Sequence, residues 1–155
     1  MSVRIGLLAD HPEALAPLAI AYEREWPHWY CAHGDALADL QERYRRTGLP
    51  VGIVAFAQDI PVGTVGIAQQ SVRSHSHLSP WIVGFWVEPS RRNRGIGSEL
   101  LTAACIHAVG QGIVRLYAAT AAASSLFARD GWTMMDMGTT ELGDPVTIFS
   151  KTLAS

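Results

Sequence analysis

The sequence predicts an α/β (α+β) domain, a mixed central sheet of about six to seven strands flanked by about four helices. An apolar run with three aromatic residues at 81–87 is typical of a buried strand. Apolar residues recur at helical spacing from Leu100 to Ala108. Two further apolar runs, 51–57 and 61–68, flank a short turn and indicate a hairpin. Strands and helices therefore alternate along one chain, so we expect helices to cover a sheet.

The first elements are a strand over residues 3–8 and a helix that follows it. Asp10 is a predicted N-cap, with Glu13 three residues later. The positions that share one face of this helix are Leu15, Leu18, Ala19, Tyr22 and Trp26. Pro17 inside this pattern indicates a kink or a later helix start, and Pro27 is predicted to end the helix.

A second helix is predicted to begin at Asp35, an N-cap residue, and to end before residues 48–50. The spacing predicts that Leu37, Leu40 and Tyr44 face inward and that Arg43, Arg45 and Arg46 face outward.

The remaining elements follow the hairpin in a regular order. They are a strand at 81–87, a helix to about 109, a strand at 113–119, a short helix at 124–130, a strand between 132 and 137, and a last strand at 146–153. No repeat or linker interrupts them, so residues 1–155 are predicted to form a single domain.

Composition excludes several classes of function. The net charge of −2 argues against a nucleic-acid-binding protein, and no apolar run is long enough to span a membrane. Cys31 and Cys105 form no disulfide or zinc pattern, so we predict free thiols and no bound metal. These features predict a cytoplasmic protein.

The turn that follows the strand at 81–87 is the most informative segment. Gly95 and Gly97 open a helix whose first backbone N–H groups point the same way, which is typical of a phosphate or pyrophosphate site. Arg91, Arg92 and Arg94 add positive charge around it. The turn lacks the Gly-Lys-Ser/Thr ending of a P-loop, and Leu100 stands where a dinucleotide fingerprint needs its third glycine.

The spacing Val87-x-Pro89, then Arg92-x-x-Gly95-x-Gly97, resembles the acyl-CoA loop of the GNAT N-acetyltransferases. The order of elements is similar over nearly the whole chain. The resemblance implies a twisted sheet whose central parallel strands splay apart around acetyl-CoA. It also implies direct transfer of the acetyl group to the primary amine of a small molecule or peptide, and a homodimer.

The resemblance also implies which residues contact acetyl-CoA. Backbone groups bind the pantetheine arm on the central strand and the pyrophosphate at the glycine turn, while two later side chains complete the site. The implied residues are Phe85, Val87, Arg92, Asn93, Arg94, Gly95, Ile96, Gly97, Ser98, Thr120 and Phe127.

Two of these residues depart from the family pattern. Thr120 stands where many members have asparagine, and Phe127 stands where the family often has the tyrosine that protonates the leaving thiolate. Phenylalanine has no hydroxyl to donate. Three alternatives stay open: water or a nearby hydroxyl acts as the acid, no acid is needed, or activity is weak or absent. The rival function is a domain of the same fold that senses acyl-CoA without turnover. The candidate hydroxyls are Ser125, Ser124, Thr120 and Tyr117.

The general base is predicted to be Glu25, late in the first helix, or His77, in the loop before the central strand. His75 and Glu88 are the alternatives. The aromatic residues Trp26, Trp29, Tyr30, Trp81 and Trp86 are interpreted either as core or as a wall for a cationic acceptor. An acyl group other than acetyl also stays open, because residues 121–123 are all alanine.

Overall fold

A computed structural model describes residues 3–32 and 34–153, and this part of the chain forms a seven-stranded sheet with five α-helices. The strands are β1 (Arg4–Leu7), β2 (Val51–Ala57), β3 (Ile60–Ala68), β4 (Trp81–Val87), β5 (Arg115–Thr120), β6 (Thr133–Thr139) and β7 (Pro145–Thr152). The helices are α1 (Leu15–Glu25), α2 (Pro27–Ala32), α3 (Ala36–Glu42), α4 (Ile96–Gly110) and α5 (Ser124–Arg129).

The sheet has the strand order β1-β2-β3-β4-β5-β7-β6. β4 and β5 are parallel, and the other neighbouring strands are antiparallel. β4 and β5 are in register only at Trp81 and Tyr117. Beyond that pair the two strands separate toward their carboxyl ends, so the predicted mixed sheet with splayed central strands is confirmed.

Helices cover both faces of the sheet. On one face, α1 and α3 pack Tyr22 and Leu40 against Phe56 and Trp86. On the other face, the core includes Leu100 of α4 and residues of α5 and β7. Every residue of β2 is buried, because alternate side chains along the strand enter the two cores.

The first helix begins later than the sequence pattern predicts. Short 3₁₀ turns occupy Leu8–Asp10 and Pro12–Ala14 before α1. Asp10 therefore caps no α-helix, and its carboxylate pairs with Arg46 instead. Pro17 lies in the first turn of α1, where its missing N–H has no intrahelical partner to lose. Pro27 ends α1 as predicted but also begins α2, which the sequence pattern does not predict.

The second predicted helix is α3, and its cap is confirmed: the Asp35 carboxylate accepts from the Ala38 N–H at 3.0 Å. The predicted orientation of its flank is wrong. Leu40 is buried as predicted, but Leu37 is exposed. α3 ends at Glu42, so Tyr44 leaves the helical face and is also exposed. Arg43 turns inward, because its carbonyl accepts from the Gly52 N–H at 2.9 Å and ties it to β2.

Candidate active site

The separation of β4 and β5 opens a cleft of about 800 Å³. Its walls are the second half of β4, the turn into α4, the end of β5 and the start of α5. The predicted site residues that line it are Glu25, Phe85, Val87, Arg92, Asn93, Gly95, Ile96, Gly97, Ser98, Thr120, Ser125 and Phe127. The predicted residues Arg94 and His77 are not among those that line it.

The turn into α4 has the geometry of an anion site. Gly95 is the N-cap of α4 and has a φ of +88°, which is costly for a residue with a Cβ. No atom lies within 4 Å of the place that a Cβ would occupy, so the space beside Gly95 is open. The first N–H groups of the 15-residue helix α4 face this space and lack intrahelical acceptors.

Gly97 is needed for a different reason. A Cβ there would lie 3.0 Å from Leu126 Cδ2 and 3.2 Å from Phe85 Cζ. The absence of a side chain lets α4 approach both β4 and α5 closely. Gly95 therefore allows a left-handed backbone conformation, and Gly97 allows α4 to pack closely at the floor of the cleft.

Arg92 joins two sides of the cleft. Its Nη2 donates to Glu25 Oε1 at 2.6 Å, and its Nε donates to the Val87 carbonyl at 2.9 Å. The end of α1 is thereby linked to the end of β4. The predicted base and a predicted pyrophosphate ligand form one ion pair with partly exposed side chains.

The cleft is predominantly positive. Among the described residues that line it, Glu25 is the carboxylate, and Arg91, Arg92 and Arg129 are the cations. An excess of arginines in a narrow cleft favours an anionic ligand.

The sequence patterns do not single out Arg129 or Ser71, which also line the cleft. Arg129 lies four residues after Ser125 in α5, and helical spacing puts both on one face. That spacing is the signal that identifies Arg129 once Ser125 is a candidate. Ser71 follows β3 in a polar loop and has no comparable signal.

The hydroxyl oxygen of Thr120 already accepts two hydrogen bonds. Its Oγ1 accepts from the N–H groups of Ala123 at 2.8 Å and Ala122 at 3.2 Å. Thr120 therefore fixes the turn between β5 and α5. Ser125 is exposed at the cleft wall, whereas Tyr117 packs against Trp81 in a separate core.

Phe127 closes the inner end of the cleft. It is 2% exposed and packs edge-on against Phe85, with the ring centroids 5.9 Å apart. It also stacks on Phe149 at 5.5 Å and meets Trp132 edge-on at 5.2 Å. This aromatic cluster gives the cleft a rigid apolar floor but offers no proton there.

His77 lies away from the cleft. Its ring stacks on His75 at 5.7 Å, and His75 Nε2 lies 2.7 Å from the Asp136 carboxylate. The other ring nitrogen of His75 lies 2.8 Å from Ser74 Oγ. These contacts bind the histidine segment to β6, an edge strand of the sheet.

Trp26 is the member of the predicted aromatic wall that lines the cleft. Trp26 is half-buried and lines it, beside Glu25 and Ser71. Trp81 and Trp86 are buried in the cores, with 0% and 5% of their surfaces exposed. Tyr30 packs on Tyr22 in the core below α1, so the core interpretation holds for most of the group.

Residues 3–32 and 34–153 hold no group of three or more histidine, cysteine, aspartate or glutamate side chains that could bind a metal ion. None of the helices described there combines the length and the apolar composition that a bilayer crossing requires.

A family model described as "Acetyltransferase (GNAT) family" matches residues 18–132. The match begins within α1 and ends directly before β6, and it includes all the residues that line the cleft. A comparison with curated protein sequences finds no match.

Solved structures share the fold at low sequence identity. An aminoglycoside 6'-N-acetyltransferase complexed with coenzyme A has a TM-score of 0.80 at 17% identity, over 100% of this chain and 98% of that chain. An aminoglycoside 6'-N-acetyltransferase from Enterococcus faecium has a TM-score of 0.77 at 16% identity, with coverages of 100% and 98%. The acetyltransferase yncA from Salmonella typhimurium, described as putative and solved with acetyl-CoA, has a TM-score of 0.77 at 16% identity, with coverages of 100% and 96%.

Proposed function

The chain belongs to the GNAT acetyltransferase family, and we propose that it transfers the acetyl group of acetyl-CoA to a primary amine of a small molecule or peptide. The observation that carries the proposal is the cleft between β4 and β5, where the glycine turn and three arginines meet the unpaired edge of a strand. The neighbours solved with coenzyme A or acetyl-CoA support the choice of donor.

The residues of the cleft fit acetyl-CoA in two parts. The open N-terminus of α4 at Gly95 and the arginines suit the pyrophosphate. The edge of β4 suits the pantetheine arm, because its backbone groups beyond Trp81 have no partner in β5. The proposed contacts are the predicted residues that line the cleft: Phe85, Val87, Arg92, Asn93, Gly95, Ile96, Gly97, Ser98, Thr120 and Phe127.

In the proposed reaction the amine nitrogen attacks the thioester carbonyl carbon, a C–N bond forms, the C–S bond breaks, and the thiolate leaves. The backbone N–H near Val87 holds the negative charge that develops on the carbonyl oxygen, an effect worth about 3 kcal/mol for such a donor. Glu25, at the mouth of the cleft, accepts the amine proton directly or through water. Ser125 or water supplies the proton to the thiolate, because Phe127 has none to give.

The first experiment titrates the protein with acetyl-CoA by calorimetry, beside Gly97→Glu and a matched Gly110→Glu control. Gly110 ends the same helix, and a Cβ there meets no atom within 4 Å. We expect saturable binding by the wild type and by the control, and none by Gly97→Glu, whose side chain would enter the cleft. Absence of binding by the wild type would overturn the proposal.

Turnover is then measured as coenzyme A thiol release with a panel of amines. A Cys31→Ser background removes the exposed protein thiol that would react with a thiol reagent. Release that depends on one class of amine identifies the acceptor.

A sensor that binds acyl-CoA without turnover is the second candidate. It is favoured by the absence of a hydroxyl at Phe127 and by the engagement of Glu25 with Arg92. Saturable binding without thiol release for any amine would support the sensor and exclude the enzyme.

A further inference from the structure

The central strand β4 contains a bulge at the edge of the cleft. Gly66 of β3 pairs with Val83, and Thr64 pairs with Trp86, so two residues of β4, Gly84 and Phe85, lie opposite one residue of β3. Gly84 has a φ of +56°, in the left-handed region. It also lines the cleft.

The bulge reverses which backbone groups of β4 face the cleft. Just before β4, the Pro80 carbonyl accepts from the Tyr117 N–H, so even-numbered positions face β5 there. After the bulge, the Glu88 N–H donates to the Val62 carbonyl, so even-numbered positions face β3. The backbone groups of Phe85 and Val87 are consequently turned into the cleft.

The Tyr22 side chain holds the bulge from the face of the sheet that α1 covers. The Tyr22 hydroxyl donates to the Gly84 carbonyl at 2.6 Å, and Arg43 Nη1 donates to that hydroxyl at 2.9 Å. A guanidinium can only donate, so the phenol proton must point at Gly84. Tyr22 is 0% exposed, and burial raises its pKa, so the hydroxyl keeps this proton.

Arg43 reaches Tyr22 through a slot made by two glycines. A Cβ at Gly66 would lie 2.9 Å from Arg43 Cδ, and a Cβ at Gly84 would collide with Arg43 Nη1 and with the Tyr22 hydroxyl. The guanidinium carbon also lies 5.8 Å from the centre of the Tyr22 ring. The two glycines leave room for the Arg43 side chain, and Arg43, Tyr22 and Gly84 form one chain of hydrogen bonds.

We propose that Tyr22, oriented by Arg43, is a positioning residue that holds the Gly84 bulge and so aims the backbone groups of Phe85 and Val87 at the acyl-pantetheine arm. The role rests on the function proposed above. It acts through the backbone of β4, and Tyr22 itself touches no substrate.

The experiment compares Tyr22→Phe with Tyr30→Phe. Both substitutions remove one hydroxyl from the same aromatic cluster, since the two rings stack at 6.1 Å. The Tyr30 hydroxyl donates to Asp39 at 2.9 Å and does not contact β4. Tyr30→Phe therefore reproduces the general cost of losing a hydrogen bond under α1.

For Tyr22→Phe, we expect the amide NMR signals of Phe85 and Val87 to shift in the ligand-free protein. The Val87 signal is decisive, because the Phe85 N–H shares a peptide group with the Gly84 carbonyl that Tyr22 contacts. We also expect the Kd for acetyl-CoA to rise about tenfold, the loss that corresponds to one hydrogen bond. Thermal unfolding should report a loss for both variants, and a larger one for Tyr22→Phe, because its hydroxyl is fully buried and has two partners. Tyr30→Phe should leave these two amide signals and the Kd unchanged.

If Tyr22→Phe lowers stability but changes neither the Val87 amide signal nor the Kd, Tyr22 is merely structural and the inference is wrong. The amide signals are read without ligand. They test the bulge even if the wild type binds no acetyl-CoA, an outcome that would overturn the proposed function separately.

Discussion

Glu25 and Arg92 have different predicted roles and yet contact each other. The carboxylate is the candidate base, and the guanidinium is a candidate pyrophosphate ligand that also holds the Val87 carbonyl. A pyrophosphate at the glycine turn would compete for Arg92. Binding of the donor would then release both the Glu25 carboxylate and the β4 backbone for the reaction.

Replacing Glu25 separates its chemical role from its ion pair. We predict that Glu25→Gln lowers kcat roughly 10²–10⁴-fold, because a positioned base contributes that much. The Kd for acetyl-CoA should stay the same or fall, since Arg92 is freed. Steady-state kinetics and calorimetry measure the two quantities.

Glu23→Gln is the matched control, because Glu23 lies on the exposed face of the same helix. If Glu25→Gln keeps its kcat while its acetyl-CoA binding weakens, Glu25 serves to hold Arg92 and another group is the base.

At the level of elements, the loop between β3 and β4 is attached to the edge strand β6. His75 is 9% exposed and bonds Asp136 of β6, and the Thr139 N–H donates to Ser74 Oγ at 3.4 Å. The hydrogen bond from His75 holds the pKa of Asp136 below its ordinary value. The charged carboxylate is therefore the form that the folded protein favours.

This attachment predicts a pH-dependent contribution to stability. A carboxylate whose pKa is lowered by folding stabilises the protein above its ordinary pKa, and the contribution is lost as the pH falls through the folded value. We expect Asp136→Asn to lower the Tm at pH 6, and the difference from wild type to shrink as the pH falls below the ordinary pKa of an aspartate, about 4.

Thermal melts over that pH range measure the difference. Asp144→Asn, an exposed carboxylate in the turn before β7, should show no comparable pattern. An Asp136→Asn deficit that persists in acid would mean that the contact does not depend on the charge.

The arrangement of the whole molecule explains why a loose pair of strands is tolerated at its centre. β4 and β5 share one registered pair, but β4 is fastened along β3 and β5 along β7. On one face of the sheet, α4 and α5 bridge the gap, with Leu100 of α4 and Phe127 of α5 in the same core. A ligand that fills the gap should consequently stabilise the entire fold.

We predict that acetyl-CoA at 100 times its Kd stabilises the folded chain by about 2.7 kcal/mol, which raises the Tm by roughly 5–10 °C at this length. Differential scanning fluorimetry measures the shift. Gly97→Glu should show none. A single transition that moves as one unit would also support the predicted single domain, whereas two transitions with only one of them shifted would contradict it.

The homodimer and the cytoplasmic location stay predictions. Sedimentation of the purified protein would test the homodimer, because it gives a molecular mass to compare with the chain mass of 16.8 kDa.

Local patterns in the sequence determined much of this protein. The apolar runs of the strands, the Asp35 cap and the glycine turn each depend on residues a few positions apart, so local patterns predict the hairpin, α3, α4 and the turn that precedes α4. Proline and capping patterns were less reliable near Asp10, because tight 3₁₀ turns and an α-helix begin with the same residue types.

Only the tertiary structure decided how the site is held together. Glu25 and Arg92 are 67 positions apart, and Tyr22 and Gly84 are 62 apart. No local period encodes such contacts, because they depend on how helices cross the sheet and on where a bulge changes the pairing. For the same reason Arg43 turned inward against its helical phase, and His77 lay with β6 instead of in the cleft.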